Sequence, residues 1–290
     1  MNDRTSELNL STNAKGSPFE ITTFETGEIC PICGEKLRRV RSIYGEHTLN
    51  CKCEEEKLER EKAERIANGQ KLVREQMQKN AGIGQRWRGK TFANFYPRPN
   101  QRGEYDAIRG WAAAYDPKKT TEGLLLCGAV GVGKTHLATA IANSVIANLS
   151  IDEYTAKKAE ESGRYENSET PAIVISTVEL LSRVRRSFDK KNSDKDNDLI
   201  ERVKNVRLLI LDDLGVEQDS GWVRETLFEI VNHRYSEELP IIITTNATPE
   251  ELKNQVGART FDRIREMCAF INFDGQSYRK TASVEQIRMV

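Results

Sequence analysis

Gly128-Ala129-Val130-Gly131-Val132-Gly133-Lys134-Thr135 has the spacing of a loop that holds phosphates. It follows the apolar run Leu124-Leu125-Leu126-Cys127 and precedes the helix-forming stretch His136–Ala147. A strand delivers such a loop, and a helix N-terminus receives the anion. Gly128, Gly131 and Gly133 let the backbone curl until its N–H groups point inward. Lys134 can then reach the β- and γ-phosphates, and the Thr135 hydroxyl can ligate Mg²⁺. Val132 and His136, inside and just after the loop, join the candidate nucleotide contacts. A glycine-rich turn is the rival reading. Strand, loop and helix together favour a nucleoside triphosphate with Mg²⁺.

Leu208-Leu209-Ile210-Leu211-Asp212-Asp213 reads as a buried strand ending in two acids. The strand is expected beside the phosphate-loop strand, with its carboxylates at the edge where open α/β sheets bind ligands. Asp212 is placed to hold Mg²⁺, and Asp213 to polarise an attacking water as general base. Asp-Asp-Leu-Gly is also good turn chemistry. Asn246 ends a further apolar strand, Ile241–Thr245, where it can meet the γ-phosphate or the water. It also opens the next helix, through Asn246-Ala247-Thr248-Pro249. Arg259, Arg263, Arg265 and Arg279 follow, and spacing alone does not choose which would stabilise charge on the γ-phosphate.

A second chemistry sits near the N-terminus. Cys30-Pro31-Ile32-Cys33-Gly34 and Cys51-Lys52-Cys53 present four thiols in two pairs, a set that satisfies tetrahedral Zn²⁺. Cys-x-Cys is tight, so His47 is an alternative to one member of the second pair. A redox disulfide would account for two cysteines but not four. A segment this short needs the metal for much of its stability. Cys127 and Cys268 lie in apolar strands and read as core.

The elements that must position these groups alternate. Helices are expected over Tyr105–Ala114, Lys134–Leu149, Val178–Asp189 and Trp222–Ser236. Strands are expected over Gly123–Cys127, Ala172–Ser176, Val206–Leu211, Ile241–Thr245 and Phe270–Phe273. That rhythm gives an α/β fold, a parallel sheet with helices on both faces. Glu54–Lys79 reads as a solvated linker helix with a thin stripe of Leu58, Ile66, Val73 and Met77. Ala81–Arg102, rich in Gly, Pro and aromatics, reads as a boundary segment packing onto the next domain. Ser150–Pro171 looks like a polar insertion and Lys190–Asp198 like a charged loop. The expected domains are a disordered 1–18, a zinc-binding 19–53, a helical linker 54–80 and an ATPase domain 81–290.

Composition narrows the partners. Lys+Arg and Asp+Glu both number 44, so any basic surface is local. Mean hydropathy is −0.61, and no apolar run approaches the ~20 residues of a membrane span. The polar start lacks a signal-peptide core, so a cytoplasmic, reducing compartment is expected, where paired cysteines suggest metal before disulfide.

Taken in order, the loop through Thr135-His136-Leu137-Ala138, then Leu208-Leu209-Ile210-Leu211-Asp212-Asp213-Leu214-Gly215, Ile243-Thr244-Thr245-Asn246, Phe261-Asp262-Arg263-Ile264 and Gln276-Ser277-Tyr278-Arg279 form a set. The set resembles the AAA+ ATPases of the DnaC/DnaI helicase-loader and IstB-like group, over about Ile83–Lys280. The resemblance implies ATP as the nucleotide, residues 128–135 as Walker A and Asp212-Asp213 as Walker B. It implies Asn246 as sensor 1 and Arg263 as a finger acting on a neighbour's ATP, with Arg259 the runner-up. Arg279 matches sensor 2, touching nucleotide in cis. Many relatives carry Asp-Glu at Walker B; the shorter Asp213 suggests slow or partner-dependent hydrolysis. The group further implies a hexameric replicative helicase as partner, engaged through the N-terminal region, single-stranded DNA as ligand and a homo-oligomer when assembled. Arg183, Arg185, Arg186, Lys190 and Lys191 are the candidate DNA contacts, with Phe188 for base stacking. The cysteine cluster favours a loader over an IstB-like transposase helper. A P-loop kinase fits the ordered Asn246, Arg263 and Arg279 poorly, and a nucleotide-gated adaptor that does not hydrolyse stays open.

Overall fold

The computed structural model describes residues 22–42, 44–165, 170–187, 193–215 and 221–279. The stretch 1–18 and Phe188, Lys190 and Lys191 lie outside them. In chain order the elements are β1 (Thr22–Ile29), β2 (Lys36–Ser42), β3 (Gly45–Thr48), α1 (Lys52–Asn80), α2 (Arg102–Ala114), β4 (Gly123–Cys127), α3 (Lys134–Ala147) and α4 (Glu153–Ser162). Then come β5 (Ala172–Ser176), α5 (Thr177–Ser187), α6 (Ser193–Asn205), β6 (Leu208–Asp212), α7 (Gly221–Ser236), β7 (Ile241–Thr245), α8 (Pro249–Val256), α9 (Ala258–Met267) and β8 (Cys268–Asn272). Two compact units emerge: Met1–Gln70 with Glu153–Glu161, and Lys71–Asp152 with Ser162–Val290.

In the first unit β1, β2 and β3 form an antiparallel sheet in that order. Its strands are largely exposed, so apolar burial contributes little. The turn between β1 and β2 carries the first cysteine pair, and the second pair flanks the start of α1. Glu54 and Glu55 in the first turn of α1 and Lys79 in its last suit the helix dipole. The region expected to be a polar insertion contains α4, held to α1 by Arg65–Glu160 at 3.2 Å and Lys62–Glu153 at 3.4 Å. Gly69 permits the close approach: a Cβ there would collide with the Ala156 carbonyl.

The second unit is a five-stranded parallel sheet of order β5-β6-β7-β4-β8. The acid-tipped β6 is therefore not beside β4, as the sequence reading expected. β7 lies between them, since Ile242 pairs with both Ile210 and Leu124. Three consecutive isoleucines give β7 apolar groups on both faces, which suits the centre of a covered sheet. Each is fully buried, worth about 1.5–3 kcal/mol. On one face Leu125, Leu209, Leu211, Ile241 and Ile243 meet α5 to α9. On the other, α3 packs on β5, β6 and β7, and α2 on α3. The charged stretch read as a loop is partly helical, because α6 begins at Ser193. Residues 71–80 of α1 belong to this unit, and Val73 and Met77 are buried there. Fully buried Arg234 donates to the carbonyls of Val203, Lys204, Val206 and Pro240 at 2.7–3.1 Å, fixing the turn that launches β6.

Candidate functional site

The glycine-rich loop leaves β4 and enters α3 at the C-terminal edge of the sheet. Gly128, Gly131 and Gly133 all have positive φ, at 145°, 84° and 108°. Phe273's carbonyl lies against Gly128 and the Phe95 ring against Gly133, where a Cβ would not fit. Val132 is buried and anchors the loop. Lys134, with 6% exposure, donates from Nζ to the carbonyls of Gly128 (2.7 Å) and Ala129 (2.8 Å) and to Asn246 Oδ1 (2.8 Å). Burial pulls its pKa below the ordinary lysine range, opposed first by the Asp213 charge. Among the described residues no carboxylate forms an ion pair with it.

Asp212 receives the Thr135 hydroxyl at 2.9 Å and the Thr244 hydroxyl at 2.7 Å, both on Oδ1. Burial raises its pKa; these two bonds oppose the rise. Asp213 adopts a left-handed conformation, φ 61°, and its Oδ1 accepts from Asn246 Nδ2 at 2.7 Å. Asn246 thus joins Lys134 to Asp213. Thr135, Asp212, Asp213, Asn246 and Lys134 come together, and the intervening β7 brings them there instead of separating them. With a hydroxyl and a carboxylate at the helix start, the site fits Mg²⁺, which would supply charge neutralisation to the phosphates.

His136 faces the preceding segment. Its Nε2 lies 3.1 Å from the carbonyl of Thr91 and 3.1 Å from Asn94 Oδ1, and its ring meets Phe95 edge-on. Residues 274–279 lie along the loop: the Tyr278 N–H donates to the Gly131 carbonyl at 2.8 Å, and Arg279, exposed, follows. Tyr278 is clasped from the other side. Its hydroxyl donates to Gln101 Oε1 at 2.6 Å, and the Arg98 guanidinium sits 4.5 Å from its ring centre. Gln101 is fully buried and also donates to the Asp274 carbonyl at 3.0 Å. Gln101, Arg98 and Thr244 were not among the expected site residues; Thr244 stood in the Ile243-Thr244-Thr245-Asn246 motif without a role, and nothing in type or spacing marked Gln101 or Arg98.

Arg263 and Arg259 lie on α9, away from this cluster's hydrogen bonds. Arg263's guanidinium rests 4.9 Å from the Phe228 ring centre and 5.5 Å from that of Tyr235. Arg259 is exposed, and Arg265 pairs with Asp262 at 3.3 Å. On α5, Arg183 pairs with Glu179 at 3.2 Å, and Arg185 lies 4.9 Å from the Trp222 ring centre. Trp222 is an aromatic the sequence reading did not connect to this basic face.

In the first unit the four Sγ atoms of Cys30, Cys33, Cys51 and Cys53 lie within 4.8 Å of one another. Zinc–sulfur bonds of about 2.3 Å in a tetrahedron place sulfurs roughly 3.8 Å apart. The separations of 3.2–3.6 Å among Cys30, Cys51 and Cys53 are close to that and too long for a disulfide. Backbone N–H groups of Cys33 and Ile32 help bring the Cys30 thiol down to about 6, while the bond to Cys51 pushes the Cys53 thiol up and the bond to Cys30 helps raise that of Cys51. His47, exposed on β3, is not in the group. The residues fit zinc.

The family model for the bacterial DnaA ATPase domain matches residues 88–266. The chain belongs to that family of AAA+ ATPases. Among curated relatives, the AAA+ chain is 28% identical over 194 residues to the replicative helicase loader DnaI of Bacillus subtilis (strain 168), covering 62% of this chain and 55% of the relative. It is 26% identical over 156 residues to the replicative helicase loader DnaC of Escherichia coli (strain K12), covering 53% and 55%. The match therefore spans little more than half the length of either relative. A solved DnaC helicase loader aligns with TM-score 0.52 and 27% identity over 65% of this chain and 99% of that one. A solved DnaI aligns with TM-score 0.52 and 26% identity over 65% and 93%. The DnaC/DnaI resemblance drawn from the motifs is thus borne out, as is the parallel sheet with helices on both faces, though not the neighbour expected for β6. Among the described residues, no helix is long and apolar enough to cross a membrane.

Proposed function

We propose that this protein is an ATP-dependent loader of a hexameric replicative DNA helicase, acting in replication initiation in the cytoplasm. The observation that carries the reading is the Lys134–Asn246–Asp213 and Thr135–Asp212 network, set in a chain similar to DnaI and DnaC. In this reading Lys134 and the loop amides bind the phosphates of ATP, and Thr135 and Asp212 hold Mg²⁺. Asp213, oriented by Asn246, takes a proton from the attacking water. The short Asp213 side chain makes hydrolysis slow until a partner completes the site.

The zinc-binding segment engages the helicase, and the ATPase unit couples nucleotide state to single-stranded DNA. The full chain should capture a purified hexameric replicative helicase. Capture of a transposase in its place would transfer the reading to the IstB-like alternative. The protein should purify with one zinc. Cys30→Ser should lose it, together with helicase capture, while ATP affinity stays within about twofold. Metal analysis finding no zinc in freshly reduced protein would refute this assignment.

The DNA contacts are assigned to Arg185 and Arg186 on α5, with Trp222 beneath Arg185. Arg185→Ala with Arg186→Ala should weaken single-stranded DNA binding about 10-fold or more and flatten its salt dependence, since two fewer phosphates are neutralised. An unchanged salt slope in titrations against an oligonucleotide would place the DNA elsewhere.

A further inference from the structure

Thr244 occupies the central strand, one residue short of its end, in the run Ile241-Ile242-Ile243-Thr244-Thr245. It is 1% exposed. A hydroxyl this deep is costly unless its bonds are made, and valine would fill the same strand position without that cost. Thr244 spends its hydroxyl and its carbonyl on one neighbouring turn. Its hydroxyl donates to Asp212 Oδ1 at 2.7 Å and accepts the Asp213 N–H at 2.9 Å. Its carbonyl accepts the Leu214 N–H at 2.9 Å. Three consecutive residues of the acid-bearing turn are tied to one threonine on the adjacent strand. Asp213 has positive φ, which is uncommon for a non-glycine residue though easier for aspartate than for most, and the Thr244 bonds brace it there.

We infer that Thr244 is a positioning residue of the ATPase site, fixing through one hydroxyl both the carboxylate assigned to Mg²⁺ and the left-handed turn that presents Asp213. The inference rests on the ATPase reading of the site. It separates two functions within the cluster. Lys134 and the loop govern phosphate binding, whereas Thr244 touches neither and governs only how the two acids stand. Thr245 serves as an internal contrast: its hydroxyl donates to the Leu214 carbonyl and accepts from Ala247 N–H, contacts that hold the turn without reaching either carboxylate.

The test uses the full chain with Thr244→Val, Thr244→Ala and Thr244→Ser. Affinity for a fluorescent ATP analogue is measured in EDTA and across a Mg²⁺ titration, with amide exchange at Asp213 in the nucleotide-free protein. Both hydroxyl-free variants should keep the EDTA affinity within about twofold. Their Mg²⁺ requirement should rise about 10-fold, the scale of one lost charge-assisted bond. Exchange at the Asp213 amide should quicken by a similar factor. In hydrolysis the loss should fall on kcat, with KM for Mg²⁺-saturated ATP near that of the parent. Thr244→Ser, which keeps the hydroxyl, should restore Mg²⁺ dependence to within about threefold. Parental Mg²⁺ dependence in the valine variant overturns the inference. So does loss of EDTA affinity in both hydroxyl-free variants, which makes Thr244 merely structural, and so does a serine variant as impaired as valine. A parent protein that binds no ATP defeats the ATPase reading instead, and the Asp213 exchange rates still report on the clamp.

Discussion

Lys134→Ala should abolish ATP binding while the ATPase unit stays folded. The lysine reaches into the loop with a full positive charge, and its three acceptors hold it there at 2.7–2.8 Å. Charge-assisted hydrogen bonds contribute about 1.5–3 kcal/mol each. Losing two to phosphate lowers affinity by about 100-fold or more. The fold should tolerate the change. Alanine is the best helix former for the first position of α3, and the strand before it and the helix after it are anchored by Leu126, Leu137 and Ile141, all fully buried. Equilibrium titration with ATP, paired with a thermal melt, decides the matter. A folded variant that keeps micromolar affinity would show that this loop is a structural turn.

The strands Gly123–Cys127, Ala172–Ser176 and Ile241–Thr245 were legible to the residue, because strands covered on both faces read as unbroken apolar runs. Their order in the sheet was not. An apolar run carries no record of its neighbours, and the reading that β6 lies beside β4 failed there. The start of β6 also shifted, from Val206 to Leu208. The carbonyls of Val206 and Arg207 turn to the buried Arg234, so these residues bend before the strand begins. The last strand runs Cys268–Asn272, earlier than the Phe270–Phe273 expected, since Cys268 already pairs with Gly123. β1, β2 and β3 escaped notice because their residues are mostly polar or charged and largely exposed, with too little apolar alternation to register. Within the site, Lys134, Thr135, Asp212, Asp213 and Asn246 announced themselves through spacing. Thr244 did not, since threonine in a strand is ordinary β-forming sequence. Gln101 did not, since a lone glutamine gains meaning only when Tyr278 and Asp274 arrive from the other end of the chain.

Arg263→Ala should leave nucleotide affinity nearly intact and remove assembly-dependent hydrolysis, by about 10³-fold or more if it acts as a trans finger. Arg279→Ala should instead weaken nucleotide binding in the isolated subunit, because Arg279 follows directly from the Tyr278–Gly131 contact on the phosphate loop. The two arginines differ in where they are held. Arg263 rests on the rings of Phe228 and Tyr235, and its Nε is buried without a hydrogen-bond partner. Cation–ring contacts of this kind are worth about 0.5–2 kcal/mol, small against several charge-assisted bonds to a phosphate. The shelf stores the side chain at low cost, and a neighbour's nucleotide can draw it off. Mixing variants tests this. A Lys134→Ala subunit should fail to hold ATP but still carries Arg263; an Arg263→Ala subunit should hold ATP but lack the proposed finger. Placed side by side they form one intact site, so mixtures should recover part of the activity that neither has alone. Arg259→Ala is the control, since Arg259 lies four residues earlier on the same helix and is exposed. If Arg259→Ala complements Lys134→Ala while Arg263→Ala hydrolyses normally, the finger is Arg259 and the aromatic shelf is simply where Arg263 belongs. If neither mixture recovers activity although every variant assembles, hydrolysis is completed within one subunit and the trans assignment is lost.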